Sequence, residues 1–529
     1  MSDLNKASFS ANLKADIPAS VVVFFVALPL CLGIALASGA PLFSGLIAGI
    51  VGGIFVGAVS GSQIGVSGPA AGLAAIVLTS IKAFEELNPG GGFEMFLVAV
   101  VLGGIMQVVF GLLKAGVIGY YFPSSVIKGM LTGIGIFIII KQIPYFFGST
   151  YTGDSFMEKV NSFFSNISIG STIIALIGLA ILLFWQNVLS SKGKFFQLVQ
   201  GPLVAVVAGI VYHLATNGTT YGIASGQLVN VPVPSDFSSF LGQFSFPNFG
   251  VITMPEVWIT AFTIALVASL ETLLCVEATD KLDPEKRVTP TNRELIAQGT
   301  GNIVSGMIGG LPITQVIVRS SANIQSGGKT KASAIIHGFL LIISVILVPN
   351  ILNMIPLSVL AAVLFIVGFK LAKPALFKVM YGLGWKQFVP FIVTILGIVF
   401  VDLLTGIGLG LAVGVLVILY KSYQNSHFLH MEDHSDGKSK VKMTLAEEVT
   451  FFNKGAILKE LDRLPEESLL ELDVRKTRFL DNDIIEILED FAVKAQNRNI
   501  DIKLISESGV VENPSSFIDY FKLNTELAN

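Results

Sequence analysis

Residues 258–275 form an almost wholly apolar run holding one carboxylate, Glu271. A basic loop follows, then a second apolar run, then Gly309-Gly310-Leu311-Pro312-Ile313-Thr314-Gln315-Val316-Ile317-Val318-Arg319. An ionisable side chain at membrane depth costs about 3 kcal/mol or more, so its default reading is functional, and Glu271 and Arg319 are the first residues to explain. A span needs roughly 20 apolar residues, and such runs recur along the chain. Charged residues are 13% of it, against roughly 25% in an ordinary soluble protein. The chain therefore reads as an α-helical polytopic membrane protein.

Fourteen segments meet the length criterion: 17–37, 42–60, 66–81, 93–114, 124–147, 172–189 and 201–216, then 257–279, 293–308, 312–324, 332–352, 357–371, 388–401 and 407–423. Residues 1–16 form a polar leader that runs straight into the first span with no cleavage site. Of the 71 charged residues, 34 lie after His430. A transport domain over 17–425 is thus followed by a linker, 426–440, and a soluble domain, 441–529. With both termini cytoplasmic, the inside loops carry Lys192, Lys194, Lys281, Lys286, Arg287, Lys329, Lys331, Lys373, Lys378 and Lys386, whereas the outside loops offer little beyond Lys82 and Lys159. That bias places a multi-pass protein in the cell membrane with this orientation.

A weak repeat runs through the membrane part, over about 17–216 and 257–423. Pro123-Ser124-Ser125-Val126-Ile127 returns 233 residues later as Pro356-Leu357-Ser358-Val359-Leu360, and Ser67-Gly68-Pro69-Ala70 returns 243 later as Gly310-Leu311-Pro312-Ile313. Seven spans per copy is odd, so the copies enter the bilayer in opposite senses, an inverted 7+7 repeat. The third and tenth spans are short and open on a Gly/Pro break. Paired breaks of this kind point to a transporter's site, with Pro69 and Pro312 expected as helix starts. Two positive helix ends facing one another suit a small inorganic anion.

Ala70 and Ala71 at one break, and Thr314 and Gln315 at the other, are expected to line the site. Arg319, always charged and rich in donors, would hold the anion or balance Glu271. Glu271 is expected to take up a coupled proton or sodium ion; the alternatives are a static ion pair with Arg319 or a hydrogen bond to backbone. Cys275, one turn further on, shares its face. Cys31 stands 244 residues earlier, in the first span of the other repeat, as small packing or lining. His427, His430 and His434, with Glu432 and Asp433, match no strong zinc spacing and read as a solvated linker. The tail alternates strand and helix: strands at 449–452, 469–474 and 500–505, helices at 454–464 and 482–497. It has no phosphate loop, metal set or nucleophile arrangement. No cofactor, catalytic constellation or nucleic-acid partner is expected.

Several of these stretches resemble the sulfate permease (SulP) family: Val26-Ala27-Leu28-Pro29 with Gly39-Ala40-Pro41 and Gly45-Leu46, Val66-Ser67-Gly68-Pro69, Arg319-Ser320-Ser321-Ala322-Asn323-Ile324-Gln325-Ser326-Gly327, and Asp402-Leu403-Leu404-Thr405-Gly406. The tail is similar to a STAS domain. The resemblance implies core and gate domains, a homodimer, and alternating-access transport of inorganic anions or small carboxylates. In bicarbonate transporters of the family an acid and a hydroxyl on the eighth span help bind sodium. Glu271 matches the acid, but Cys275 stands where the hydroxyl would be, which tilts coupling toward protons. Leu30 replaces a polar residue common after the first-span Ala-Leu-Pro. Leu28-Pro29-Leu30-Cys31-Leu32-Gly33 resembles a bacterial branch associated with carbonic anhydrase, tilting the substrate toward bicarbonate over sulfate or a dicarboxylate. Asn482 stands where anti-anti-sigma relatives of the STAS domain carry a phosphorylatable serine. An uncoupled anion channel, an anion receptor and a nucleobase symporter are the competing readings.

Overall fold

Lipid offers the backbone no hydrogen-bond partners, so apolar stretches of this length fold as helices. The computed structural model describes residues 3–120, 123–149, 156–189, 192–193, 196, 200–233, 242–433, 439–507, 509–514 and 516–517. They divide into two compact units, Met1–Leu411 and Ala412–Asn529.

Each of the fourteen apolar segments contains a helix. In order, α1 is Asp3–Ala37 and α2 Leu42–Val51, the latter continuing through a π-helical turn at Gly52–Val56. Strand β1, Ser67–Pro69, leads through a 3-10 turn at Ala71–Leu73 into α3, Ala74–Leu87. Then come α4 Gly92–Leu112, α5 Ser124–Phe146, α6 Phe156–Ser165, α7 Ile169–Phe184 and α8 Gly201–Thr216. The second half has α9 Pro255–Leu282, α10 Thr291–Met307, strand β2 Ile313–Gln315 and α11 Ile317–Gln325. It closes with α12 Ala332–Leu347, α13 Leu357–Leu371, α14 Pro374–Gly382, α15 Trp385–Phe400 and α16 Leu403–Gln424. Among the described residues, eight helices are long and apolar enough to cross a membrane by length and composition. The leader is not separate: from Asp3 it is already the first turns of α1, because nothing between Asp3 and Asp16 breaks a helix.

Two groups of helices pack internally. In one, α4 lies against α3, α9 and α10, and α1 against α2, α11 and α12; in the other, α5 lies against α13 and α15, and α7 against α8 and α13. They meet along α1 and α13. The repeated prolines behave alike, Pro123 capping the start of α5 and Pro356 the start of α13. These two helices cross at glycine, since a Cβ on Gly135 would come 2.5 Å from the carbonyl of Gly368.

The breaks differ from expectation in one respect. Pro69 and Pro312 do not begin helices. Pro69 ends β1, Pro312 precedes β2, and the two strands pair antiparallel, Ser67 with Gln315 and Pro69 with Ile313. The reason is the same shortage of partners. Two extended segments inside the membrane satisfy each other's peptide groups before either can wind into a helix. The helices then begin several residues later, at Ala71 through the 3-10 turn and at Ile317.

The second unit carries a five-stranded sheet in the order β3 (His427–Asp433), β4 (Ser439–Leu445), β6 (Leu469–Asp473), β8 (Asp501–Ser506), β9 (Gly509–Glu512). The inner three strands are parallel and the two edges antiparallel. A two-residue strand β5, Glu448–Val449, pairs with β7, Phe479–Leu480, and helices α17 (Lys454–Asp462) and α18 (Asn482–Asn497) complete the unit. Thus of the strand expected at 449–452 only Val449 is in one, with Phe451 and Phe452 in a 3-10 turn, and the supposed linker holds the edge strand β3. Its polar residues hid it: Val441, Met443 and Leu445 of β4 alternate into the core, while β3 pairs at the rim, where polar side chains are tolerated. His434 lies outside the described residues. Among those described, no group of three or more His, Cys, Asp and Glu residues is placed to hold a metal.

One ion-pair cluster gives a pH prediction. Arg475 donates to Asp473 from Nε and Nη2 at 2.9 and 2.7 Å, and Lys442 stands 3.8 Å away. The Arg475 hydrogen bonds, ahead of the neighbouring charges, hold the Asp473 carboxyl below its ordinary range. A depressed folded value stabilises above the unfolded carboxyl's pKa of about 3.9, and that stability is lost as pH falls through the folded value. Asp473→Asn should therefore speed hydrogen exchange in β6 of the full chain at pH 7, and the difference from wild type should vanish in strong acid.

Candidate functional site at the paired helix breaks

Helix α9 runs past both breaks. Glu271 and Cys275 lie one turn apart on it, and each meets the start of one short helix. The N–H groups of Gly72, at the head of α3, and Ile317, at the head of α11, lie beside Glu271 and Cys275 respectively. Those N–H groups belong to first turns that have no partner within their own helices. Gly72 is required there: a Cβ at that position would stand 2.5 Å from Glu271 Oε2. With nine residues, α11 is about 14 Å long, so it begins well inside a hydrocarbon layer of about 30 Å.

The two helix heads open on a cavity of about 170 Å³ at the seam between the helix groups. Glu271, Cys275, Ala71 and Gly72 line it together with Leu131 and Ile134 of α5. Leu30 and Ile34 of α1, with Leu364 and Val367 of α13, complete much of the wall. Glu271 is the one carboxylate of that lining, and its Oε2 has no hydrogen-bond partner. The chamber is otherwise apolar, so a single charge dominates its field.

Not every expected residue reaches this chamber. Ala71, Glu271 and Cys275 line it; Ala70, Thr314, Gln315, Arg319 and Cys31 do not. Thr314 and Gln315 are fully buried in β2, where Gln315 Nε2 donates to Thr279 Oγ1 at 3.1 Å. Arg319 makes no ion pair with Glu271 among the described residues, and the Glu271 carboxylate lies against Gly72 instead. The Arg319 guanidinium is fully buried behind β1. Its Nη2 lies 3.3 Å from Cys31 Sγ, while Nε and Nη1 have no hydrogen-bond partner. Only glycine fits beside it, since a Cβ on Gly68 would fall 2.0 Å from Nη1. Arg319 is thus a fixed positive charge one layer behind the helix heads.

The strand crossing is held by a ladder of side chains on α10 that single-residue reasoning missed. Glu294, Gln298 and Asn302 lie four apart and are fully buried. Glu294 accepts from Ser60 Oγ, the Gly61 N–H and Gln298 Nε2 at 2.6, 3.0 and 2.9 Å. Gln298 Nε2 also reaches Ser67 Oγ at 2.7 Å. Asn302 grips Ile313 by both peptide groups, accepting from its N–H at 2.5 Å and donating to its C=O at 3.1 Å, and donates to Gln107 Oε1 at 2.6 Å. The available signal was the spacing itself: three polar residues at i, i+4 and i+8 on an otherwise membrane-buried helix face their own partners.

Known proteins bear on this arrangement. The model of the sulfate permease family matches residues 13–394. The bicarbonate transporter BicA of Picosynechococcus is 26% identical over 448 residues, 84% of this chain and 76% of its own. The putative sulfate transporter YvdB of Bacillus subtilis is 26% identical over 510 residues, 92% of this chain and 90% of its own. Among solved structures, the transmembrane domain of a cyanobacterial BicA matches with a TM-score of 0.65 at 26% identity, covering 75% of this chain and 97% of that one. SLC26A9 matches in fold with a TM-score of 0.74 at 17% identity, over 99% of this chain and 87% of its own. With a family match across most of the membrane unit and two helix breaks meeting at one chamber, the chain belongs to the sulfate permease family and is a multi-pass membrane transporter.

Proposed function

We propose that this protein is a secondary active transporter of small inorganic anions, working by alternating access, with bicarbonate preferred to sulfate and a proton as the coupled ion. One observation carries the reading: two short helices begin inside the membrane unit at a shared chamber, each head met by a side chain of α9 one turn from the other. Amide heads favour negative charge. An ionised Glu271 occupies that favourable field itself; once it is protonated or cation-loaded, the field is free for an anion. Loading the carboxylate and loading the substrate thereby favour one another, which is what symport requires. A proton is preferred to sodium because sodium seeks oxygen ligands, and the neighbour of Glu271 along the chamber wall is the soft thiol of Cys275.

The preference for bicarbonate rests on the two BicA relatives and on the resemblance of the first span to that branch. The fourteen helical segments, the capped proline pair and the strand pairing support the 7+7 inverted repeat with core and gate groups. The second unit is read as a STAS-like domain, the chain as a homodimer, and both termini as cytoplasmic, on the positive-inside bias. Uptake of labelled bicarbonate, sulfate and fumarate by the full chain in liposomes tests the function. Saturable flux driven by a proton gradient supports it, sodium-driven flux replaces the coupling ion, and large ohmic currents make the protein a channel.

Arg319 supplies a graded test. A unit charge acting through protein at an effective dielectric of about 20 shifts binding of a nearby anion by roughly tenfold. Arg319→Ala should weaken apparent anion affinity by about that factor, with Arg319→Lys retaining much of it. An unchanged affinity in a folded Arg319→Ala protein would make the guanidinium structural.

A further inference from the structure

A second chamber lies on the same seam, toward the end of the bundle that carries the basic loops. It has a volume of about 470 Å³ and is lined by Lys370 on α13, Trp185 and Gln186 in the π-helical turn after α7, Gln200 and Pro202 at the start of α8, and Gln325 at the end of α11. Helices α11 and α13 connect it to the first chamber. Ile317 and Val318 line the inner one and Gln325 the outer, about 12 Å along one helix. On α13, Val367 and Leu371 turn to the inner chamber while Ile366 and Lys370 turn to the outer.

The chemistry of the outer lining differs from that of the inner. Among the described residues, Lys370 is the one charged residue of the lining, three glutamines share the wall with it, and no carboxylate does. Among the described residues, Lys370 has neither a hydrogen bond nor an ion pair, and Lys373 adds a second positive field. Lys370 sits at an opening that no carboxylate lines among the described residues. Lys370 is exposed, and a lysine at a membrane boundary commonly lays its stem on apolar surface with its head in water.

We propose that the Lys370 chamber is a recruitment site for small inorganic anions at the mouth of the transport path, filled before the anion passes to the helix heads. The proposal rests on the transporter reading above. A rim charge of this kind acts on the encounter and its salt dependence more than on the later steps. It therefore predicts an effect confined to one face of the membrane.

The test uses the full chain in liposomes with sulfate and bicarbonate as probes. Lys370→Gln should raise KM about two- to fivefold for anion entering from the basic-loop face, leave Vmax and the opposite face unchanged, and flatten the salt dependence of entry. Lys370→Arg should keep the wild-type KM. In the Lys370→Cys variant, modification with a cationic thiosulfonate should restore the lower KM, and an anionic reagent should not. Occupancy is read separately on the wild-type chain: sulfate, but not bulkier gluconate, should slow labelling of Lys370 by an impermeant amine-reactive ester. A KM indifferent to charge at 370, or labelling unaffected by sulfate, overturns the site. Absence of any saturable flux instead overturns the transporter reading, while sulfate protection of Lys370 still decides the site.

Discussion

Glu271→Gln is expected to reduce gradient-driven anion accumulation to background, at least a hundredfold, while the protein folds and melts as wild type does. Glutamine keeps the shape and still presents an oxygen toward the Gly72 backbone, so the head of α3 is little disturbed. What is lost is the change of charge. Among the described residues Glu271 is the one carboxylate in the chamber lining, and its buried Oε2 has no hydrogen-bond partner. A hundredfold loss corresponds to about 2.7 kcal/mol of coupling, within the range typical of linked sites. The variant should still bind anion, because the amide heads remain; an equilibrium exchange assay with no imposed gradient reads that residual binding. Accumulation unchanged in Glu271→Gln would remove the carboxylate from the mechanism. Gly72→Val makes an independent check, since a side chain there is driven into Glu271 at 2.5 Å and should abolish flux by displacing the same carboxylate.

The carboxylate was readable from sequence because it stands alone in an apolar run, and Cys275 followed from helical spacing. The breaks were readable too, but their chemistry was misplaced by a few residues. Proline's preference for a first helical turn is a local rule, whereas the pairing of Ser67–Pro69 with Ile313–Gln315 joins segments roughly 245 residues apart and outranks it. That shift is why Thr314 and Gln315 became strand residues and Ile317 became the helix head. Arg319 was rightly singled out as expensive, but which way a side chain turns on a nine-residue helix depends on the neighbours that glycines such as Gly68 allow in. Lys370 passed unnoticed because, in sequence, it is one more basic residue at the end of a span.

The largest stability effect is expected at Asn302. Membrane interiors penalise unpaired peptide groups more than any other defect, and both peptide groups of Ile313 depend on this one side chain. Asn302→Leu is close in volume, so packing changes little, but it strands the Ile313 N–H and C=O and removes the donor to Gln107 Oε1. Each buried group left unpaired costs about 1–3 kcal/mol, and since the three share one neighbourhood their sum is not additive. A net loss of about 2–5 kcal/mol is expected, seen as a fall of several degrees in the melting of the purified membrane unit within the full chain. Transport should fall further than stability. Shifting β2 moves Ile317, which shares the chamber wall with Cys275, whereas Glu271 keeps its place against Gly72. A variant that melts like wild type would show that β1 and β2 hold the crossing without α10; one that melts lower yet transports at full rate would separate the crossing from the site.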